Sequence, residues 1–427
     1  MTLQSAAATG ARPPLATPLL RLPAFRKLWT ATGLEGAGDE ASRVVIPIVA
    51  VSTLGAGAWE VGIINALGMS AFLVLGLPIG VWVDRLRRRR LMITADVFRA
   101  LVVLSVPAAF IAGVMTIGHL LVCVALISVA DVVFTTAHGA FLPSVVGRDR
   151  TSDAHARLQS AASAVAVGSP SLTGALLAAI APPFALVTAG ISYLLSALAL
   201  TGIHVDEDIK PDREHGGFWL AARAGLSFTV HHPVLRGLFL SGMILNAATM
   251  FGSAATAVYA LNVLGLGPAA FALLSTFAAM GGLVASFAAP AILTRLGIGR
   301  TRILAGIACL PAVALLPLAP VLPWFPALWL GVSAFGWAFL VVVISVAGAG
   351  IIPRIAQSRR LGTVMASSRL FTLGIMPVAS LAGGALAAWL GVQPVLWIWA
   401  LLAGASAVPI ALSPMRTWTE FPAGSDS

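Results

Sequence analysis

Charged residues are scarce in this 427-residue chain: Asp, Glu, Lys and Arg make up 10% of it, against 59% apolar residues. Soluble domains carry roughly a quarter charged residues, so this composition excludes a disordered chain and an ordinary soluble enzyme. Cysteine is nearly absent, and Cys123 and Cys309 lie far apart inside apolar runs. Their separation excludes a secreted disulfide scaffold, a cysteine metal site and a redox motif. With a mean hydropathy of +0.96, the chain is expected to reside in lipid.

A phosphate-binding loop is also lacking, since no G-x-x-x-x-G-K-[ST] sequence occurs. The chain is therefore not expected to draw energy from its own ATP hydrolysis. No Ser/His/Asp or carboxylate–metal grouping gathers at one predicted membrane face. The sequence thus predicts no enzymatic activity, no metal site and no cofactor.

Apolar runs long enough to cross a bilayer are abundant, since a spanning helix needs about 20 mostly apolar residues. We take charged residues, Gly and Pro as the ends of these apolar runs. The runs then predict an all-α membrane protein with twelve spans. They are 28–53, 59–83, 92–115, 118–142, 157–180, 184–204, 237–263, 268–294, 302–320, 324–351, 361–389 and 393–413.

These spans divide into an N-terminal six-helix bundle over 28–204 and a C-terminal one over 237–413. Segment 205–236 is predicted to be a cytoplasmic linker, acidic at first and ending in a helix on the membrane surface. Segments 1–27 and 414–427 are predicted to be cytoplasmic tails. The first tail lacks the pattern of a cleaved signal peptide, so the first span is expected to act as an uncleaved anchor.

Positive charge is distributed very unevenly along the chain. Of 26 Lys and Arg, all but Arg43, Arg99 and Arg369 fall in the termini or in the even-numbered loops between spans. Cytoplasmic loops carry an excess of these residues, which predicts that both termini are cytoplasmic in a multi-pass protein of the inner or plasma membrane. The net charge of +10 then reflects membrane topology, and no nucleic-acid partner is expected.

An internal repeat connects the two halves of the chain. Matching positions recur 210 residues apart: Arg85 and Arg295, Pro143 and Pro353, and the Gly-Ala-Leu runs at 174–176 and 384–386. A duplication of six helices gives parallel repeats related by an axis normal to the membrane. Such repeats are typical of transporters, with the binding site between the halves near the bilayer midplane.

A family resemblance follows from the loop after span 2. It reads Gly80-x-x-x-Asp84-Arg85-x-x-Arg88-Arg89 and resembles the signature loop of the major facilitator superfamily, with Arg87 where that loop has its second Gly. Four further segments are similar to the branch with enterobactin exporters and macrolide efflux proteins. They are Phe25–Trp29, Gly38-Asp39, Leu142–Val146 and His232–Arg236. The resemblance implies two six-helix bundles working by alternating access.

The first span carries the densest set of ionisable residues: Glu35, Asp39, Glu40 and Arg43. Glu35, Asp39 and Arg43 are four residues apart and share a helix face. Asp39 is expected about 16 Å into the helix, near the bilayer middle. Arg43 can pair well with only one acid, which leaves another carboxylate without a partner on its own helix. These acids are predicted either to load protons or to form an ion-pair cluster that holds this helix in place.

Other spans contain fewer ionisable residues. Asp96 and Arg99 are three residues apart and are predicted to form a structural ion pair. Asp131 and His138 lie on one face of span 4, where they form either a proton relay or separate groups satisfied by other partners. Arg369 is predicted either to bind an anionic substrate or to pair with an acid.

Polar and flexible positions complete the candidate site. Asn246 in span 7 is predicted either to contact substrate or to form an interhelical hydrogen bond. Span 5 contains a partial match to the superfamily's antiporter motif, at Gly168, Pro170 and Gly174. They are predicted to form a hinge, with a simple packing kink as the alternative.

The signature loop is predicted to act as a gate. Asp84 is expected to dock at the start of helix 11, because helix N-termini attract carboxylates. Arg85 is expected to reach Asp149 or Asp153, with Gly80 and Arg88 completing the loop. The alternative is a plain positively charged loop.

The sequence therefore predicts a monomeric secondary transporter whose partners are protons, membrane lipids and a small amphipathic substrate. Proton-coupled export of a drug, macrolide or siderophore-like compound is the preferred activity. The alternative is an uncoupled or import carrier for a metabolite or lysolipid. A more remote one is a receptor or scaffold on a transporter fold.

Overall fold

A computed structural model of the chain describes residues 18–83, 85–205, 207, 227, 230–349, 351, 355 and 358–419. Within these ranges the chain contains twelve long helices and no strand. The prediction of an all-α fold is therefore confirmed. The surface helix predicted within 205–236 lies largely outside the described residues.

The helices follow one another in chain order, with short connections. They are α1 (Pro23–Ile48), α2 (Ala58–Val83), α3 (Arg88–Ile111), α4 (Ile117–Val146), α5 (Thr151–Leu177), α6 (Pro182–Thr201), α7 (Pro233–Val258), α8 (Pro268–Leu296), α9 (Ile298–Leu318), α10 (Pro326–Ala349), α11 (Ser358–Leu390) and α12 (Val392–Ala405).

Eleven of the twelve helices are long and apolar enough to cross a membrane, when α12 is counted together with the short helix that follows it, to Ala411. The exception is α1, whose charged residues include the cluster from Glu35 to Arg43. Charged groups are expensive inside a bilayer unless they find partners in the protein. The structure of α1 therefore depends on what its acids contact.

The repeat of 210 residues reappears in the backbone. Helices α1 and α7 begin at Pro23 and Pro233, and both continue into one wide helical turn, Val49–Thr53 and Tyr259–Val263. The glycine that follows each turn has a left-handed conformation, with φ of 68° at Gly55 and 66° at Gly265. A side chain at these two positions would be strained, which gives glycine a reason to occur in both halves.

The chain forms two compact units. The described residues of 1–46 and 74–213 form the first, in which α3 packs against α4 and α6. The described residues of 47–73 and 214–427 form the second. In the second unit α8 packs on α10, α7 on α11, and α9 on both α10 and α12.

Several arginines assigned to loops by the sequence lie inside helices. Arg88 begins α3, and Arg302 lies in the second turn of α9. Arg302 is also 4% exposed, which the sequence analysis did not predict. The predicted spans begin too late at these arginines because each charged residue was taken as the end of a span. The fold nevertheless includes these arginines in its helices.

Candidate functional site

Arg99 on α3 is fully buried, and its guanidinium meets four carboxylates from three helices. Nη1 lies 3.0 Å from Glu35 Oε1 and 3.1 Å from Asp39 Oδ1, both on α1. Nη2 lies 2.6 Å from Asp96 Oδ1 one helical turn away, and Nη1 is 3.6 Å from Asp131 Oδ1 on α4. We call these five residues the Arg99 network. It joins α1, α3 and α4 within the first unit.

Helix α6 contributes an aromatic side chain, Tyr193, that contacts the network. The hydroxyl of Tyr193 donates a hydrogen bond of 2.7 Å to Asp39 Oδ1. The Arg99 Cζ lies 4.6 Å from the centre of the Tyr193 ring and 4.7 Å from that of Phe134. Both rings can stabilise the cation through their electron-rich faces. Gly38 permits this approach, because a Cβ there would lie 2.8 Å from the Tyr193 ring.

The charges of the network do not balance. Four carboxylates surround one guanidinium, so full ionisation would leave an excess of negative charge. Arg43 does not correct this, because its side chain is 69% exposed and lies 3.8 Å from Glu40. Uncompensated charge in a poorly solvated site costs several kcal/mol per ion in general. The arrangement therefore favours uptake of a further positive charge.

Access to the network differs among its carboxylates. The side chains of Asp96 and Glu35 are 0% and 10% exposed, whereas those of Asp39 and Asp131 are 26% and 46% exposed. Asp39 and Asp131 thus lie on the accessible side, and Asp96 on the buried side.

The same carboxylates could hold a metal ion by their spacing. One oxygen each of Glu35, Asp39 and Asp131 lies within 4.8 Å of the others. Arg99 Nη1 already contacts all three, so a metal ion would have to displace the guanidinium. A proton adds to a single oxygen and displaces nothing. The geometry suits a proton better than a metal.

The contacts of α1 and α3 go beyond the pairs expected from sequence. Arg43 lies one helical turn beyond Asp39, and its ion pair among the described residues is with Glu40. Asp96 and Arg99 do contact each other, yet Arg99 also binds both acids of α1. The pair is therefore one part of a larger network.

Asp131 and His138 do not contact each other in the described structure. Asp131 Oδ1 accepts from the hydroxyl of Thr135 at 3.3 Å and faces Arg99. His138 Nε2 lies 3.1 Å from the hydroxyl of Thr32, and its ring stacks on Phe134. A direct relay between the two residues therefore has no geometric basis.

The predicted gate is only partly described. Asp84 lies outside the described residues, and Gly80 lies near the end of α2. Arg85 is exposed and forms no ion pair with Asp149 or Asp153, and Asp153 lies 3.7 Å from Arg157 instead. The expected contact of Arg85 is thus not seen among the described side chains, and the gate stays a prediction.

A contact that the sequence did not predict lies beside this loop. The carboxylate of Glu207 accepts hydrogen bonds from the backbone N–H groups of Arg88 and Arg89, at 2.6 and 3.1 Å. Free N–H groups at a helix start attract carboxylates, so Glu207 caps α3. The acid comes from the segment after α6, more than a hundred residues along the chain.

The remaining candidates are distributed over both units. Pro170 and Gly174 are buried in α5 with Gly168 nearby, and the hydroxyl of Ser169 donates to the carbonyl of Ala37 at 3.2 Å. Asn246 lines a cavity in the second unit. Arg369 belongs to α11, but its side chain lies outside the described part. None of the described side chains among these joins the Arg99 network.

Comparison with known proteins places the chain in a family. Residues 28–368 match the Major Facilitator Superfamily, and the chain belongs to it. It is a multi-pass membrane protein of that superfamily.

Its relatives are distant. The chain is 24% identical over 238 residues to the uncharacterized MFS-type transporter YvqJ of Bacillus subtilis (strain 168), and the match covers 55% of this chain and 56% of that protein. The chain thus matches little more than half the length of this curated relative.

Solved structures share the fold. The nucleoside transporter NupG is 12% identical, with a TM-score of 0.74 over 91% of this chain and 98% of NupG. A bacterial homologue of the iron transporter ferroportin in an inward-facing state is 18% identical, with a TM-score of 0.70 over 93% of this chain and all of that one. At these identities the likeness concerns the fold alone.

Proposed function

We propose that this transporter couples the inward movement of protons to the export of a small amphipathic compound. It works by alternating access in the inner or plasma membrane, with both termini in the cytoplasm. The Arg99 network is its proton-binding site. The concentration of positive residues in the termini and even-numbered loops supports this orientation.

One observation carries the proposal: four carboxylates of the first unit share a single buried guanidinium. The three carboxylates on Nη1, Glu35, Asp39 and Asp131, compete for one nitrogen atom. Like charges this close disfavour full ionisation, so the site is suited to hold a proton and to release it when a second cation arrives. That exchange is what a proton-driven exporter requires.

The cargo is proposed from the apolar spans with their Trp and Phe residues, and from the likeness to the enterobactin-exporter and macrolide-efflux branch. The alternative is an uncoupled or import carrier for a metabolite or lysolipid, in which the network only anchors α1. A proton-binding network distinguishes the two, because only the exporter must release protons on binding its cargo.

The test measures proton release from the purified protein in weakly buffered solution while lipophilic cations, macrolides and siderophores are added. We expect release with one of these classes, and its loss in Asp39→Asn and Glu35→Gln. Glu60→Gln is the matched control, because Glu60 accepts from the N–H of Gly57 at 2.9 Å and lies outside the network. Binding without release, or equal release in all variants, would contradict the proposal.

A further inference from the structure

A second buried arginine lies in the second unit, with surroundings opposite to those of Arg99. Arg302 on α9 donates from Nη1 to the carbonyl of Ile344 at 2.8 Å, and its Nη2 lies 3.4 Å from the hydroxyl of Ser241. Its Nε is buried and has no hydrogen-bond partner among the described residues. Both partners of the guanidinium in the described part of the chain are neutral oxygens.

Among its described residues, the C-terminal half has no carboxylate that could neutralise this cation. The sequence contains no Asp or Glu between Glu214 and Glu420. Residues 47–73 belong to the same unit, and their one acid, Glu60, caps the start of α2. Arg302 thus has no counter-ion among the described residues, and because a buried charge in that state is costly, the site favours uptake of an anion.

A cavity is available to that anion. It measures about 390 Å³ and is lined by Arg302 together with Asn246 and Ser345. Volumes of this size accommodate small ligands. Leu238, Phe239 and Val341 provide apolar walls on α7 and α10. The cavity therefore combines one cation, a few polar groups and an apolar surface.

Glycine keeps the guanidinium in this position. A Cβ at Gly348 would lie 2.5 Å from Arg302 Nη1, so any side chain there would push the guanidinium away. Gly348 also lines the cavity. The absence of a side chain at Gly348 thus leaves space in the cavity wall for the Arg302 guanidinium.

We propose that this cavity binds the anionic group of an amphipathic molecule, a carboxylate or a phosphate, with its apolar part against the walls of α7 and α10. Arg302 forms the ion pair, and Asn246 offers a further hydrogen bond. The proposal does not depend on proton coupling, since none of these residues belongs to the Arg99 network.

The test uses the full-length protein in phosphatidylcholine nanodiscs and equilibrium dialysis of octyl phosphate and octanoate, with octanol as the neutral probe. We expect both anions to bind more tightly than octanol. Arg302→Gln should weaken anion binding about tenfold or more, because a charge-assisted hydrogen bond is lost, and should leave octanol unchanged. The matched control is Arg300→Gln, which removes an exposed arginine two residues away and should have little effect.

Gly348→Ala is the second variant, because it keeps the charge but displaces the guanidinium. It should also weaken anion binding, and thermal unfolding of each variant verifies the fold. Anions that bind wild type no better than octanol, or equal losses in Arg302→Gln and Arg300→Gln, would overturn the proposal. Adding phosphatidylglycerol identifies the source of the anion: competition points to a lipid headgroup, and its absence to a soluble compound.

Discussion

Arg99 Nη1 lies 3.0 Å from Glu35 Oε1, and this contact joins two helices whose partner residues are 64 positions apart in the sequence. It explains how α1 is accommodated among apolar helices despite its charges. The cation of α3 meets the two acids of α1 that face it, Glu35 and Asp39. The network therefore has a structural effect as well as its proposed role in proton binding.

Removing the cation at the centre of the network should destabilise the first unit strongly. In Arg99→Gln the buried carboxylates lose the guanidinium that they share in the described structure, which we expect to lower the free energy of unfolding by about 3–5 kcal/mol. Thermal unfolding of the purified protein in detergent measures this. Arg43→Gln is the control, because that side chain is 69% exposed and should change stability by less than about 0.5 kcal/mol. Equal effects of the two substitutions would contradict the central position of Arg99.

The carboxylate that caps α3 should contribute measurably to stability. Glu207→Ala removes both acceptors from the N–H groups of Arg88 and Arg89, so we expect a loss of about 1 kcal/mol. Glu207→Gln keeps one oxygen acceptor and should fall between alanine and wild type. The ordering of the three proteins in a thermal unfolding series is the measurement. An alanine variant as stable as wild type would show that the cap is energetically neutral.

Two glycines of the helices should respond in opposite directions to alanine. A Cβ at Gly383 on α11 would overlap the carbonyl oxygen of Phe251 on α7, so Gly383→Ala should cost about 1–3 kcal/mol through overpacking. No heavy atom lies within 4 Å of a Cβ at Gly139 on α4. Gly139→Ala should stabilise the protein by about 0.5–1 kcal/mol, because alanine restricts the unfolded chain and favours the helix. Two changes of the same sign would contradict the close packing of α7 and α11.

The local features of this fold were predictable from sequence, and the reason is their short range. The apolar runs predict the helices. The repeat of 210 residues predicts that α7 begins 210 positions after α1. The pair Asp96 and Arg99 follows from helical spacing alone, since residues three apart share a face. Each of these inferences needs only neighbouring residues or one fixed offset.

The contacts between helices were not predictable in the same way. The sequence does not state how far α1 is shifted along α3, so it cannot show that Arg99 reaches Glu35 and Asp39. Arg302 was missed for a related reason: the burial of a charge at a helix end depends on which helices surround it. Tyr193 carried no signal, because an aromatic residue in an apolar run is ordinary until its hydroxyl is seen beside Asp39.

The central claim, that the Arg99 network holds a proton, is tested most directly by infrared difference spectroscopy of the reconstituted protein across a pH titration. A protonated carboxylic acid has a C=O stretching band that disappears on ionisation. We predict such a band in wild type, its weakening or loss in Asp39→Asn and Glu35→Gln, and its persistence in Glu60→Gln. A spectrum without a titrating band, or one that these two network substitutions leave unchanged, would contradict the account.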